Sequence, residues 1–321
     1  MKPYLFSLIA AAAACGLASA QTAYTTPVGY VTQALTPSKF NLIGLTVQTP
    51  VAVAGDLEDV TGAVLTDSDV VDFAAVLTPS RTYIIEITSG TAFGASQDFV
   101  TVSGSTVTLP GAITGLANGD KYQIRVAPTL ETVFGTTTSV LQKGAVSGSA
   151  DIVYLPNGSG GYLQYWQNLA GSWRNFIGGS AASNIPVIYL DGILIQKRAA
   201  AASLVFSGEV KTIGSTTAII KGFNPIGSVY PAGSTLQNIG LADDLLKGAV
   251  AGSADIVHIP NGSGGYTLYW LNLASSWRNF IGGGAAPADI PLTTGFFIEK
   301  RNVGTVTVDI APPSTYATPS L

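Results

Sequence analysis

The stretch Pro156–Gly179, "PNGSGGYLQYWQNLAGSWRNFIGG", returns almost unchanged at Pro260–Gly283 as "PNGSGGYTLYWLNLASSWRNFIGG". The two copies hold all four tryptophans of the 321-residue chain. Extended back to Lys143 and Lys247, the alignment gives 30 identities in 37 positions at a fixed offset of 104. Each copy reads as a β-hairpin: "PNGSGG" has the residues of a tight reversal, "GYLQYWQN" runs as a strand, "LAGS" reverses again and "WRNFIGG" returns. Side chains alternate along a strand, so Tyr162 and Trp166 share one face and Tyr165 takes the other, with Tyr266, Trp270 and Tyr269 in the matching places. Trp173 with Arg174, and Trp277 with Arg278, fall on the return strands.

Weaker echoes flank this core of the repeat. "APTLETVFG" faces "GSTLQNIG" upstream, "GILIQKR" faces "GFFIEKR" downstream, and "VGYVTQALTPSKFNLIGLTV" resembles "SGEVKTIGSTTAIIKGFNPIGSV". Phe40 precedes Lys143 by 103 residues, whereas Phe223 precedes Lys247 by only 24. The first copy therefore carries about 79 extra residues, roughly 48–125, whose four or five short strands and Gly-rich turns predict a small inserted β-barrel or meander. The alternative is that the second copy lost this segment.

Elsewhere "VGYVTQAL", "RTYIIEITSG", "STVTLPG", "KYQIRVAP" and "ADIVYLP" are β-branched or aromatic, partly alternating and closed by turn residues, as strands are. Only "PTLETVFG" at Pro128 and "LADDLLKG" at Leu241 suggest helix, a single turn each, both ended by glycine. The expected fold is all-β: two homologous sandwich- or barrel-like units, residues 21–206 with the insertion and 207–313, then a flexible tail, 314–321.

Residues 1–20 combine Lys2, the apolar run "YLFSLIAAAAACGL" and Ala18-Ser19-Ala20, the pattern of a cleaved secretory signal, so the mature chain is expected to begin at Gln21. The apolar run is too short to span a bilayer, and no later window is long enough to do so. Cys15 is the only cysteine; it invites a lipoprotein reading, but "AAAC" lacks the usual leucine three residues before it. Cleavage after Ala20 leaves no thiol for disulfides, metal binding or catalysis. Without Lys2 the chain has 14 basic and 19 acidic side chains and no basic cluster beyond "QKR" and "EKR", which argues against nucleic acid. Charged residues make up only 11%, giving little electrostatic protection against association.

The series "TTPVGYVT", "FNLIG", "YIIEITSG", "GDKYQIRVAPTLETVFG", "GEVKT", "GFNPIG" and "YPAGSTL" resembles an uncharacterised secreted family found as many paralogues in Verrucomicrobia and related bacteria. The resemblance covers nearly the whole mature chain. It implies an exported bacterial protein and assigns no activity and no binding residue.

No constellation of reacting groups stands out. Asp151 and Asp255, with Asn157 and Asn261, supply hard oxygen atoms near glycine loops, but the D-x-D-x-D-G spacing of a calcium loop is missing, and pinning a turn is the simpler role. His258 is the single histidine and is Tyr154 in the sister copy, which speaks against a metal ligand or general base. Asp191, Glu209, Asp243, Asp244, Asp289 and Glu299 offer carboxylates for a glycosidase pair, yet no spacing selects two of them. "NGS" at Asn157 and Asn261 fits a glycosylation sequon and equally a hairpin turn.

These readings predict a non-catalytic secreted structural or surface protein, without cofactor or metal, that associates with copies of itself into a filament or layer. The alternative is a polysaccharide-binding protein whose platform is Tyr162, Trp166, Trp173, Arg174, Tyr266, Trp270, Trp277 and Arg278; the competing role for the tryptophans is core packing with arginine stacked on indole. Where the copies differ, Gln164 becomes Leu268 and Gln167 becomes Leu271. Positions that accept glutamine are expected outside the core, so both leucines are expected at a contact surface. Two similar units would also present head-to-tail compatible surfaces, and "QTAYTTPVGYVTQAL" would add as a strand to a neighbour.

Overall fold

The computed structural model describes residues 27–316 apart from Pro79, Phe99, Val100 and Tyr189. The expected signal segment, Cys15, residues 21–26 and the last five residues lie outside the described residues. The protein is all-β, with six antiparallel sheets and a few single helical turns.

Two of the sheets have five strands and one common plan. The first runs Trp173–Asn175, Tyr162–Gln167, Ile152–Pro156, Ile193–Gln196, Phe40–Ile43; the second runs Trp277–Asn279, Tyr266–Leu271, Ile256–Pro260, Gly295–Lys300, Gly222–Gly227. Their hairpin registers match pair for pair, Trp166 opposite Arg174 and Ile152 in one, Trp270 opposite Arg278 and Ile256 in the other. Each sheet also has a two-stranded ribbon joining the strand before its inner edge to the strand after its penultimate one: Val28–Leu35 with Ala202–Glu209, and Ser215–Ile219 with Val306–Ile310. Val28–Leu35, expected as a strand offered to a neighbour, is thus already paired within its own chain.

The units meet through the strands Phe40–Ile43, Ile193–Gln196, Gly222–Gly227 and Gly295–Lys300. The contact is reciprocal: Gly192 lies against Pro225 and Ile226, and its counterpart Gly295 lies against Leu42 and Ile43. A single core drawn from both units includes Val153, Tyr165, Trp173 and Ile193 together with Val257, Tyr269, Trp277 and Phe296. This pseudo-twofold pairing uses the same patch on each unit, so that patch is closed and supplies no head-to-tail surface. The strands Trp173–Asn175 and Trp277–Asn279 are each the outer edge of their own five-stranded sheet.

The insertion is richer than four or five strands. Eight short strands from Val51 to Val126 form two four-stranded sheets around their own core, which includes Leu65, Phe73, Ile85, Ile87, Tyr122 and Ile124. Every residue of Tyr83–Ile87 is buried, because the strand has two apolar sides to satisfy. Ile85 and Ile87 face the inserted core, while Ile84 enters the core of the main body and Glu86 forms a buried ion pair with Lys211, on the connection between the units. Arg125 and Glu209 add a second bridge at 2.6 Å.

Of the two expected helical turns, Leu130–Phe134 is capped by Thr129 and ended by Gly135 at φ 76°. Leu241–Asp244 instead follows a glycine, Gly240 at φ 93°, and ends at Leu245, where the backbone turns extended. A further turn, Phe73–Val76, is capped by Asp72 and buries Phe73 in the inserted core.

Candidate functional site

The hairpins form as their turn residues require. Asn157 Oδ1 accepts from the N–H of Ser159 at 2.9 Å and of Gly161 at 2.9 Å, and Asn261 repeats both bonds. At the second reversal Asn168 accepts from Ser172 N–H, and Asn272 from Ala274 and Ser276. Asp151 pins the neighbouring loop, its carboxylate accepting from the N–H groups of Gln142 and Arg198 and from Lys197 at 2.5 Å; Asp255 does the same for Leu246 and Arg301 without the lysine. Both aspartates are thus engaged as loop anchors.

The inward face of each hairpin is core. Trp173 is 1% exposed, packs its ring 5.7 Å from that of Phe134 and donates from Nε1 to the Gly135 carbonyl at 2.9 Å. Trp277, its counterpart, is also buried, as are Tyr165 and Tyr269. Gln167 and Leu271 are each 1% exposed, so the expectation that this pair marks an outer surface is wrong. A core position accepts glutamine here because the Gly135 carbonyl lies within 2.7 Å of its Nε2. Gln164 and Leu268 are half-buried on the opposite face.

That opposite face divides along its length. Near the first reversal, Tyr162 and Tyr266 converge with Leu42, Leu194 and Phe297 in one cluster that crosses between the units. Rings of Phe40, Tyr154 and Tyr162 continue it on one side, and Phe223, His258, Tyr266 and Phe297 on the other, at centroid distances of 5.2–6.4 Å. Burial raises the phenol pKa of both Tyr162 and Tyr266. These tyrosines belong to the seam between units and not to a platform shared with the tryptophans. His258 is held there by Glu299 at 2.9 Å, and Glu299 also meets Arg301 at 2.8 Å.

Towards the far end of the same face, Trp270 walls a recess of about 450 Å³ with Val250, Asn272, Arg278 and Phe280. The Trp270 indole N–H donates to the Asn279 carbonyl at 3.3 Å. In the first unit Trp166 is half-buried, beside Arg174, whose guanidinium donates to the Gly179 carbonyl at 3.3 Å. Around each tryptophan large apolar side chains point to solvent in matching fashion: Leu169 and Leu273 are both 70% exposed, Ile177 88% and Ile281 90%, and Phe176 and Phe280 are exposed as well. This apolar rim was missed in the sequence; its signal was "NFIGG", kept identical in both copies although it lies on a surface loop.

The carboxylates considered for acid–base work are variously engaged. Glu209 pairs with Arg125, Glu299 with His258 and Arg301, and Asp244 accepts from the Asp309 N–H at 2.8 Å. Asp191 alone among the six lines a large cleft, where burial lifts its pKa to about 7. Among the described residues one acidic cluster has metal-ligand spacing, Glu58, Asp67 and Asp69, and its buried member Asp67 already accepts from the Tyr122 hydroxyl at 2.6 Å.

Fold and surface together define an all-β protein with a duplicated hairpin and exposed apolar side chains on each copy. No protein-family model matches the chain, and no curated protein or solved structure matches it.

Proposed function

We propose that the chain is an exported structural component that associates with further copies of itself. The observation that carries this reading is the repeated exposed set, in which Leu169, Phe176 and Ile177 of one unit recur as Leu273, Phe280 and Ile281 of the other. Large apolar side chains left in water on matching loops are the kind of surface that association covers. The loops after the outer strands fold back on them, with Ala182 N–H donating to the Trp173 carbonyl at 3.0 Å and Ala286 to Trp277 at 3.0 Å, so contact there is through side chains. A molecule with two near-identical sticky patches propagates a linear polymer. Low charge removes the usual obstacle to such contact. Export rests on the N-terminal pattern and on the family resemblance. Sedimentation velocity tests the reading: a concentration-dependent series of species supports it, and a strictly monomeric protein at high concentration overturns it.

A second reading, polysaccharide binding, is favoured by the Trp270 recess, where an indole edge, Arg278 and Asn272 converge. Its test is retention on an insoluble polysaccharide, lost in Trp166→Ala with Trp270→Ala while the unfolding midpoint is kept.

A further inference from the structure

A cleft of about 1190 Å³ separates the inserted module from the ribbon of the second unit. Its walls include a sheet edge of the inserted module and the ribbon, whose cross-strand pairs Thr216 with Asp309 and Ala218 with Thr307 all line it. On the inserted side, Thr88 N–H donates to Lys121 O and Ile87 N–H to Ala95 O, so Ile85 and Ile87 present their amide groups to the strand Ser96–Asp98. Alternation then turns Gln97 towards that ladder and the N–H and C=O groups of Ser96 and Asp98 away from it, along the edge that lines the cleft. On the other side, Thr216 N–H donates to the Gly94 carbonyl at 3.0 Å, which identifies Thr216, and by alternation Ala218, as the outward residues of Ser215–Ile219. The two edges touch at that bond, and both line the cleft beyond it.

The charge of the lining has one sign. Asp98 stands on the inserted edge, Asp309 on the ribbon and Asp191 just before the strand Ile193–Gln196, and among the described residues the lining contains no lysine or arginine. The remaining wall is mostly threonine, serine and short aliphatic residues. Asp191 is half-buried, and its partial removal from water lifts its pKa from the usual 3.8 to about 7.

We propose that this cleft receives an extended peptide segment bearing a basic side chain, which adds as a strand to the exposed edges and places its cation against Asp191. Strand addition satisfies outward backbone groups at a sheet edge and leaves selectivity to the side chains. A cation brought beside Asp191 favours its charged form, so binding displaces a proton near neutrality and tightens as the pH rises. Asp98 and Asp309, the other acidic side chains of the lining, also draw a cation towards the cleft. This site is separate from the apolar rims, and its test does not depend on assembly.

The test measures fluorescence anisotropy of a labelled hexapeptide, Thr-Val-Thr-Lys-Val-Thr, on the full chain, beside the same peptide with Gln for Lys and one N-methylated at alternate residues. At pH 8 the Lys peptide is expected to bind at least tenfold more tightly than the Gln peptide, with the advantage shrinking by pH 5.5, and the N-methylated peptide is expected not to bind. Asp191→Asn should abolish the Lys preference and keep the weaker common affinity. Ala218→Pro, which deletes an N–H outside the ribbon ladder, should weaken both peptides while keeping the preference. Absence of binding, equal binding of the Lys and Gln peptides by the wild type, or an unchanged preference in Asp191→Asn overturns the proposal; unchanged affinity in Ala218→Pro overturns addition at that edge.

Discussion

Gly192 and Ile226 approach so closely that a Cβ on the glycine would stand 2.8 Å from the isoleucine amide nitrogen, and the counterpart Gly295 repeats the approach at 3.2 Å from the Ile43 carbonyl oxygen. Backbone meets backbone at both places, so a side chain cannot be absorbed by a rotamer change. Gly192→Ala is expected to push the units apart and to cost about 2–3 kcal/mol, comparable to overpacking a core. The check is a thermal melt of Gly192→Ala beside Gly178→Ala, whose left-handed φ of 78° adds strain but where a Cβ meets nothing within 4 Å. Equal losses for the two would mean that the seam tolerates a methyl group.

The buried glutamine offers a sharper comparison. Gln167 donates to Gly135, yet its Oε1 has no partner, and the second unit carries leucine at the same buried place. Gln167→Leu should therefore leave stability within about 1 kcal/mol of wild type, because Trp173 still donates to the Gly135 carbonyl. Trp173→Ala, by contrast, removes a filled volume and that bond together and should cost about 3–5 kcal/mol. Urea titrations of the two variants give both numbers.

The Glu86–Lys211 pair, with each side chain 1% exposed, is the most deeply buried of the contacts that dock the inserted module. Lys211→Met strands a carboxylate in a site closed to water and should cost about 3–5 kcal/mol, whereas adding Glu86→Gln should recover most of the loss. Limited proteolysis of the connection near Lys211 follows the docking directly. Rapid cutting in the single variant and slow cutting in the double variant is the expected order.

Asp191 makes stability depend on pH in the unusual direction for a carboxylate. Its folded pKa of about 7 exceeds the ordinary 3.8, so between these values the folded chain holds a proton that the unfolded chain releases. This contribution is fully present below about pH 4 and is lost as the pH rises through 7, amounting to at most about 4 kcal/mol. Asp191→Asn should remove that fall. Chemical denaturation at pH 5 and pH 8 should show the wild type losing stability relative to the variant, and parallel behaviour of the two would contradict the prediction.

Local patterns carried the strands and the repeat. "VGYVTQAL", "KYQIRV" and "IVYLP" alternate or branch as edge and core strands do, and the Asn-Gly reversals are written in consecutive residues, so short-range chemistry was enough. The inserted strands, from Val51 to Val126, fall close to the expected 48–125 because the repeat itself outlines the gap. What stayed hidden depends on distant partners. Gln167 is core only because a carbonyl 32 residues earlier comes within reach, and Tyr162 and Tyr266 leave the platform only because the units close face to face. Asp191 gained its setting from the insertion and the second ribbon, neither adjacent to it in sequence.

The two exposed apolar sets predict a stepwise loss of assembly. Ile177 and Ile281 are almost fully exposed, so replacing either with aspartate should change folding stability by no more than about 0.5 kcal/mol. At a contact surface the same change buries a charge without a partner and should abolish that set's contact. A molecule with one intact set can still pair once, so Ile177→Asp alone and Ile281→Asp alone should each stop at a dimer. With both sets altered the protein should sediment as a monomer, while the wild type forms longer species that grow with concentration. Wild-type-like assembly in both single variants would move the contact away from the rims. A monomeric wild type across salt and calcium concentrations would remove the assembly reading altogether and leave the Trp166 and Trp270 surfaces to be judged by polysaccharide retention.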